Sequence, residues 1–452
     1  MRKRIRVFSG TLLLFMIVSC NKYLDVKSNG VFVVPNDLES LQKILDGSRY
    51  INNNMCAMGE AASDNYFLTE SSYKSLSEHW RKFYIWDNGE YTYGNDWDRA
   101  YLTIYNCNLV LDQLKKIERK ADNQQIYDRI TGTALFFRAS QYLSLVWTFA
   151  KAYDSNTAQS DLGIVLRESS DFNVRSSRAS VQQCYDRIIA DFLESEELLP
   201  VNTVHVMRPS RKSALGMLAR TFLSMRRYSD ALKYADLFLQ QKKDLLNFNN
   251  PSFVDPNKQY PIMQFNNETD LYLEMSPNAL ISQSEAMVDT ALYNSYHDDD
   301  LRKKAFFKKL SKEYMSFVGS YSSGAMHFAG LATDEMLLTR SECLARDGRV
   351  QEALLDLNEL LQTRFKSGTY VPIVLDEPKQ ALALILEERR KELLFRGMRW
   401  IDVKRLNLEG ANISIKRRVE EKDYSLKPND NRFALPLPMD IIAQTGMPQN
   451  PK

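Results

Sequence analysis

Apolar residues recur at three- and four-residue spacing through 97 to 118, 124 to 150, 179 to 199, 211 to 240, 331 to 363 and 379 to 406. That period lays one apolar stripe along each segment, the pattern of helices packed on a core. Sustained alternation, the period of half-buried strands, is missing; Gly163-Ile164-Val165-Leu166 and Phe433-Ala434-Leu435-Pro436 are brief extended candidates. The expectation is a mainly α fold with little β structure. At 44% hydrophobic and 26% charged residues, the 452-residue chain is globular in composition and long enough for one large core or two joined ones.

Two of these segments repeat each other. Leu215, Ala219, Phe222, Tyr228 and Ala231 match Leu337, Ser341, Leu344, Val350 and Ala353 at a constant offset of 122. The match resembles the tetratricopeptide pattern, in which a small residue on one helix lets the next pack closely. Arg340 opposite Leu218 is one mismatch. A tetratricopeptide-like helical-repeat scaffold with long inserted loops follows. Because the pairs stand far apart in sequence, they read as framework rather than as a protein-docking groove. The inserts are 247 to 278, rich in Asn, Pro and aromatics, and 294 to 330, with Gly, Ser and a burst of charge. Long loops on a rigid scaffold usually carry recognition.

The chain starts with basic residues Arg2, Lys3, Arg4 and Arg6, continues through the apolar stretch Thr11 to Val18, and reaches Ser19 and Cys20. That order is the anatomy of a secretory signal peptide. The stretch is far shorter than the about 20 apolar residues a membrane span needs. Ile17-Val18-Ser19-Cys20 resembles the bacterial lipobox, which implies cleavage after residue 19 and lipid on Cys20. Two acyl chains or more anchor stably, whereas one does so only marginally. Removing residues 1–19 takes away four basic residues and no acidic ones, so the formal charge of +2 becomes −2. The remainder has no concentrated basic face, which argues against nucleic acid as a ligand.

Cys56, Cys107, Cys184 and Cys343 lie far apart, without CxxC or Cys/His spacing. They allow three disulfide connectivities and the sequence selects none; buried free thiols are the favoured reading. His297-Asp298-Asp299-Asp300 has the carboxylates of a calcium site, but acids in front of Leu301-Arg302-Lys303-Lys304 read first as a solvated helix start. No metal and no cofactor is expected. No Gly-x-Ser-x-Gly elbow or His-x-x-x-His occurs, and Glu196-Glu197 and Glu387-Glu388 lack acid–base spacing. The expectation is a protein that is not an enzyme.

Residues 66 to 105 hold twelve aromatics, including three of the five tryptophans. An aromatic face suits the C–H face of a sugar ring, with neighbouring polar groups fixing its hydroxyls. Trp97, Tyr101 and Tyr105 recur every four residues and are assigned to the core. Trp80, Tyr84, Trp86, Tyr91 and Tyr93 lie in a Gly/Asn/Asp-interrupted stretch and are the ligand-binding candidates. Asp64, Asn65, Arg81 and Asn88 are the polar candidates beside them.

Near the C-terminus, Ile385-Leu386-Glu387-Glu388-Arg389-Arg390-Lys391-Glu392-Leu393-Leu394-Phe395-Arg396-Gly397-Met398-Arg399-Trp400-Ile401-Asp402-Val403-Lys404-Arg405 resembles the signature helix of the SusD/RagB family. Phe433-Ala434-Leu435-Pro436-Leu437-Pro438, Asp440-Ile441 and Gln449-Asn450-Pro451 resemble its closing segment. Tyr105-Asn106-Cys107-Asn108, Arg138, Tyr142, Trp147 and Asp298 to Arg302 resemble further family positions. The signature itself reads as architecture: Glu388, Arg389 and Glu392 are spaced to pair along one helix, Gly397 permits a sharp exit, and Arg399 with Asp402 is placed to brace the turn. The resemblance implies one domain over 20–452, with a helical part to 240 and a loop-rich part from 241. It further implies a surface-facing lipoprotein of the outer membrane that captures oligosaccharides or peptides and delivers them to a TonB-dependent barrel. Two other readings are a tetratricopeptide-type interaction adaptor and a surface glycoside hydrolase.

Overall fold

The structure, a computed structural model, describes residues 35–87, 95–241, 243–310 and 313–451. Residues 1–19, Cys20, Asn88, Tyr91 and Tyr93 lie outside the described residues.

Helices dominate, and the longest, Gln124–Phe149, is buried on nearly every side from Ile130 onward. Apolar side chains all round a helix fit only a position at the centre of a core. Helices Asp96–Leu114 and Val181–Leu198 flank it. Arg138, inside the central helix, makes a bidentate pair with Asp191 at 2.8 Å and reaches Asn108 Oδ1 at 2.9 Å, so one buried guanidinium ties all three together. The stack continues through Arg211–Ser224 and Tyr228–Gln241, then directly onto Thr333–Arg346 and Val350–Arg364, and ends with Pro378–Glu392. The two repeat pairs, far apart in sequence, are therefore neighbours in space. Arg340, the mismatch in the repeat, bridges them: it holds Asp356 bidentately at 2.7 Å and Asp236 at 2.8 Å. Ser341, at the small-residue position, donates to the carbonyl of Ala353 at 2.7 Å.

The two inserts are not free loops. Among the described residues, five two-stranded antiparallel ladders occur, and several draw on these segments: Thr269–Leu271 pairs with Leu331–Ala332, Ala286–Val288 with Tyr66–Leu68, and Phe307–Lys309 with Met315–Phe317. Leu271, Leu273 and Phe328 are fully buried there. Buried backbone must find hydrogen-bond partners, and short ladders supply them. Leu162–Val165 forms a strand as expected. Phe433–Pro436 does not: a 3₁₀ turn, Asn431–Phe433, leads into chain pinned by Leu435 N to the Thr148 carbonyl at 3.0 Å.

The signature segment is architectural, by pairings other than those its spacing suggests. Glu388 and Glu392 bind Arg302 at 2.7 and 2.9 Å, and Glu392 also binds Arg364. Arg389 binds Asp402, which shares its other oxygen with Arg405; Arg405 in turn grips Glu342 at 2.6 and 2.7 Å. Arg399 does not brace Asp402 but pairs with Asp64 at 2.6 Å. A helix buried on several faces meets charges from other elements, and these join the pairs along its own surface, such as Lys391 with Glu388 at 2.9 Å. Asp300 is likewise no solvated helix start; it is 2% exposed and holds Arg302. Gly397 has φ +77°, and a Cβ there would stand 3.2 Å from Met275 Cε. Lys404 donates to the carbonyls of Trp147 and Ala150 at 2.7 and 2.6 Å, placing its amino group at the C-terminus of the central helix, where burial lowers its pKa to about 7. No helix among the described residues is long and apolar enough to cross a membrane.

Candidate functional site

The aromatic window divides differently from the way its sequence suggests. Tyr84 is 0% and Trp86 4% exposed, so neither offers a platform. Arg417, from the strand Ile415–Val419, lies between them and donates to the carbonyls of Ala61 and Ser63 at 2.9 and 2.8 Å. Trp86 Nε1 donates to Ala62 O, and Tyr84 Oη accepts from Leu68 N. Trp80 is half-buried, edge-on to Phe83. Arg81 donates to the Lys74 carbonyl at 3.4 Å. Asn65 is buried and donates to Glu60 at 2.7 Å. Burial works against the Asp64 carboxylate, yet the guanidiniums of Arg399 and Arg390 hold it well below the usual range. Tyr84, Trp86, Asn65 and Asp64 are thus engaged within the fold.

The other half of the window lies at the edge of a cavity of about 1550 Å³. Trp97 and Tyr101, from the first turns of Asp96–Leu114, line it together with Tyr50, Leu102, Phe172 and Val174. Trp97 is buried as expected, while Tyr105, placed in the core by its spacing, is 42% exposed. The helix start is fixed by Asn95, whose side chain accepts from Trp97 N and Asp98 N while Asp98 returns a bond to Asn95 N. Tyr101 Oη donates to Val165 O at 2.7 Å and accepts from Val165 N at 3.0 Å, which sets the adjoining strand against the helix.

That strand leads into the loop 166–177, which projects Phe172 at 79% and Val174 at 54% exposure. The loop is held at its root. Asn108 donates to the Arg167 carbonyl at 2.6 Å, Tyr142 donates to the same oxygen, and Asp112 accepts from both N and Oγ of Ser170 at 2.8 Å. Arg167 spans the loop to the Val174 carbonyl, and Asn173 N donates to Asp171 Oδ1 at 2.9 Å. An exposed aromatic on a braced loop loses little freedom when a ligand covers it. Sequence reasoning missed Phe172 because a lone Phe in a polar stretch carries no periodicity.

Two carboxylates line the cavity, Asp98 and Glu274. Asp98 is engaged in the helix cap, and Glu274, 9% exposed, accepts from the Tyr272 hydroxyl. Elsewhere, oxygens of Glu268, Asp334 and Glu392 lie within 4.8 Å of one another, a spacing that would suit a cation. Arg364 and Arg396 already occupy that role: Arg364 lies 2.6 Å from Glu392 and 3.0 Å from Glu268, and Arg396 lies 2.8 Å from Asp334. The four cysteines are buried and free, and burial pushes Cys107 and Cys343 up to about 12 and Cys184 up to about 11.

Residues 22–223 match a family model described as starch-binding, associating with the outer membrane, and residues 330–446 match the SusD family model. The chain is 23% identical over 414 residues to SusD-like protein P2 of Formosa agariphila, covering 78% of this chain and 79% of that protein. A SusD superfamily protein from Bacteroides thetaiotaomicron superposes with a TM-score of 0.71 at 19% identity, over 92% of this chain and all of that one (100%). A SusD-like carbohydrate binding protein from Bacteroides vulgatus superposes at 0.61 and 19% identity, over 87% and 89% of the two chains.

Proposed function

Because the chain belongs to the SusD family, we propose that it is a lipid-anchored binding protein of the outer-membrane surface that captures oligosaccharides and hands them to a TonB-dependent barrel. The observation that carries this reading is the cavity edged by the exposed rings of Tyr50 and Phe172. Its volume of about 1550 Å³ exceeds the roughly 300–1,000 Å³ of sites for single small molecules and suits an oligomer. Aromatic faces and flanking amides and hydroxyls, among them Asn53, Asn54 and Thr445, are the groups that sugar recognition uses. The carbohydrate-binding relative from Bacteroides vulgatus supports the same cargo class.

The family resemblance supports binding without chemistry, since the two lining carboxylates are committed to a helix cap and a tyrosine. An adaptor role has less support: Arg211–Ser224 and Thr333–Arg346, the first helices of the repeats, are buried along nearly their whole length and offer no open groove. The test has two arms. Calorimetry against a panel of oligosaccharides should give binding that Phe172→Ala weakens. Mild detergent extraction from the native membrane should bring down a large barrel protein. A chain that binds no oligosaccharide and extracts alone would sink the proposal.

A further inference from the structure

Nearly every arginine among the described residues has a carboxylate partner, as Arg138, Arg220 and Arg405 do, or donates to backbone carbonyls, as Arg178, Arg226 and Arg417 do. Arg49, Arg99, Arg129 and Arg175 have neither, and three of these four line the same cavity. They come from separate segments: Arg49 from the short helix Ser48–Ile51, Arg99 from the first turn of Asp96–Leu114, and Arg175 from the loop that carries Phe172. Arg167, whose guanidinium braces that loop, adds a fourth positive charge to the lining. Against these stand Asp98, held in the helix cap, and Glu274, held by Tyr272. Asp96, near enough to Arg99 to feel its charge, is buried and accepts from Ala57 N and Met58 N at 2.6 and 2.7 Å.

A guanidinium gains most from a planar or tetrahedral oxyanion, to which it makes paired, charge-assisted hydrogen bonds. Three such groups lining one cavity with no salt bridge or side-chain hydrogen bond among the described residues, Arg49 set over the Tyr50 ring, leave a positive field over an aromatic-edged cavity, which a neutral sugar would not use. From this we infer that the cavity takes an anionic oligosaccharide, one that carries carboxylate or sulfate groups along its chain of sugar rings. The inference rests on the glycan-capture reading and narrows its cargo.

The test is calorimetry on full-length protein in detergent, with oligogalacturonate, a sulfated carrageenan oligosaccharide, maltoheptaose and oligoglutamate as probes. At least one anionic sugar should bind ten times more tightly than maltoheptaose, and its affinity should fall about tenfold as salt rises from about 50 to about 500 mM. Which sugar binds distinguishes carboxylate from sulfate. Arg99→Gln and Arg175→Gln should each weaken binding about three- to tenfold, Arg175→Lys should recover only part of that loss because it keeps the charge without the paired hydrogen bonds, and Arg129→Gln should change nothing. Neither the Arg99 nor the Arg175 side chain makes a salt bridge or hydrogen bond among the described residues, so the variants should melt near the parent. Maltoheptaose binding as tightly, without salt dependence, would overturn the anionic cargo and leave glycan capture standing. Binding of oligoglutamate alone, or of no probe, would overturn both. An equal loss in Arg129→Gln would show a diffuse attraction and overturn the assignment to the cavity.

Discussion

The guanidinium carbon of Arg417 lies 4.0 Å from the centre of the Tyr84 ring and 4.5 Å from that of Trp86, and no carboxylate among the described residues pairs with it. Its charge is balanced by ring faces and by the carbonyls of Ala61, Ser63 and Tyr84. Each buried acceptor left without a donor costs about 1–3 kcal/mol, and a desolvated cation–π contact is worth about 2 kcal/mol. Arg417→Met should therefore lower the unfolding free energy by about 3 kcal/mol or more in urea titration. A loss under about 1 kcal/mol would mean that water reaches those carbonyls.

Glu60 is fully buried and accepts from Asn65 Nδ2 and Gly397 N, and it makes no salt bridge among the described residues. Burial raises its carboxyl to about 7. The folded chain thus holds a proton that the unfolded chain has released, between about pH 4.5 and about pH 7. This contribution is fully present below the lower value and is lost as pH rises through the upper one. Between about pH 4.5 and pH 8 the stability of Glu60→Gln relative to the parent should therefore improve by about 3 kcal/mol. Denaturation midpoints measured across that range check the sign, and a constant difference would show that Glu60 is ionised throughout.

The helices were legible because each buries one stripe, or in Gln124–Phe149 nearly all faces, and burial writes a 3.6-residue period into the chain. The repeat was legible for the same reason, down to Arg340 as its odd residue. What the sequence concealed depends on partners distant in the chain. Trp86 in a polar stretch reads as exposed until Arg417 closes over it, and Asp402 reads as a partner for Arg399 until Arg389 and Arg405 arrive. The candidate cavity was half legible: the aromatic window adjoins it, but the period marks Trp97 and Tyr101 as core although both also line the cavity. Phe172 and the unpartnered arginines leave no periodic signal at all.

Buried thiols with raised pKa values are poor nucleophiles. Cys56, Cys107, Cys184 and Cys343 should not react with a disulfide reagent in the folded protein and should all react in denaturant, with no change on prior reduction. Reaction of any of the four without denaturant, monitored by mass spectrometry, would reveal an opening near it.

Phe172 is 79% exposed on a loop whose root is fixed by Asn108, Tyr142 and Asp112. Its removal costs the fold little, since exposed side chains contribute within about 0.5 kcal/mol. Phe172→Ala should melt with the parent and bind oligosaccharide about tenfold more weakly, whereas Asp112→Ala should free the loop and weaken binding through ordering entropy. Unchanged affinity in Phe172→Ala would move the ligand away from this rim.

Cys20 lies outside the described residues, and its proposed role concerns location rather than shape. A lipid at that position would confine the binding cavity to a thin layer beside the barrel. Confinement raises effective concentration without adding a contact. Cys20→Ala protein should then bind oligosaccharide as the parent does in solution, yet support uptake poorly in cells, because a released chain dilutes away from its transporter. Fractionation would find the variant in the medium or soluble fraction while the parent stays with the membrane. Full uptake by the unanchored variant would show that contact with the barrel alone holds the two together.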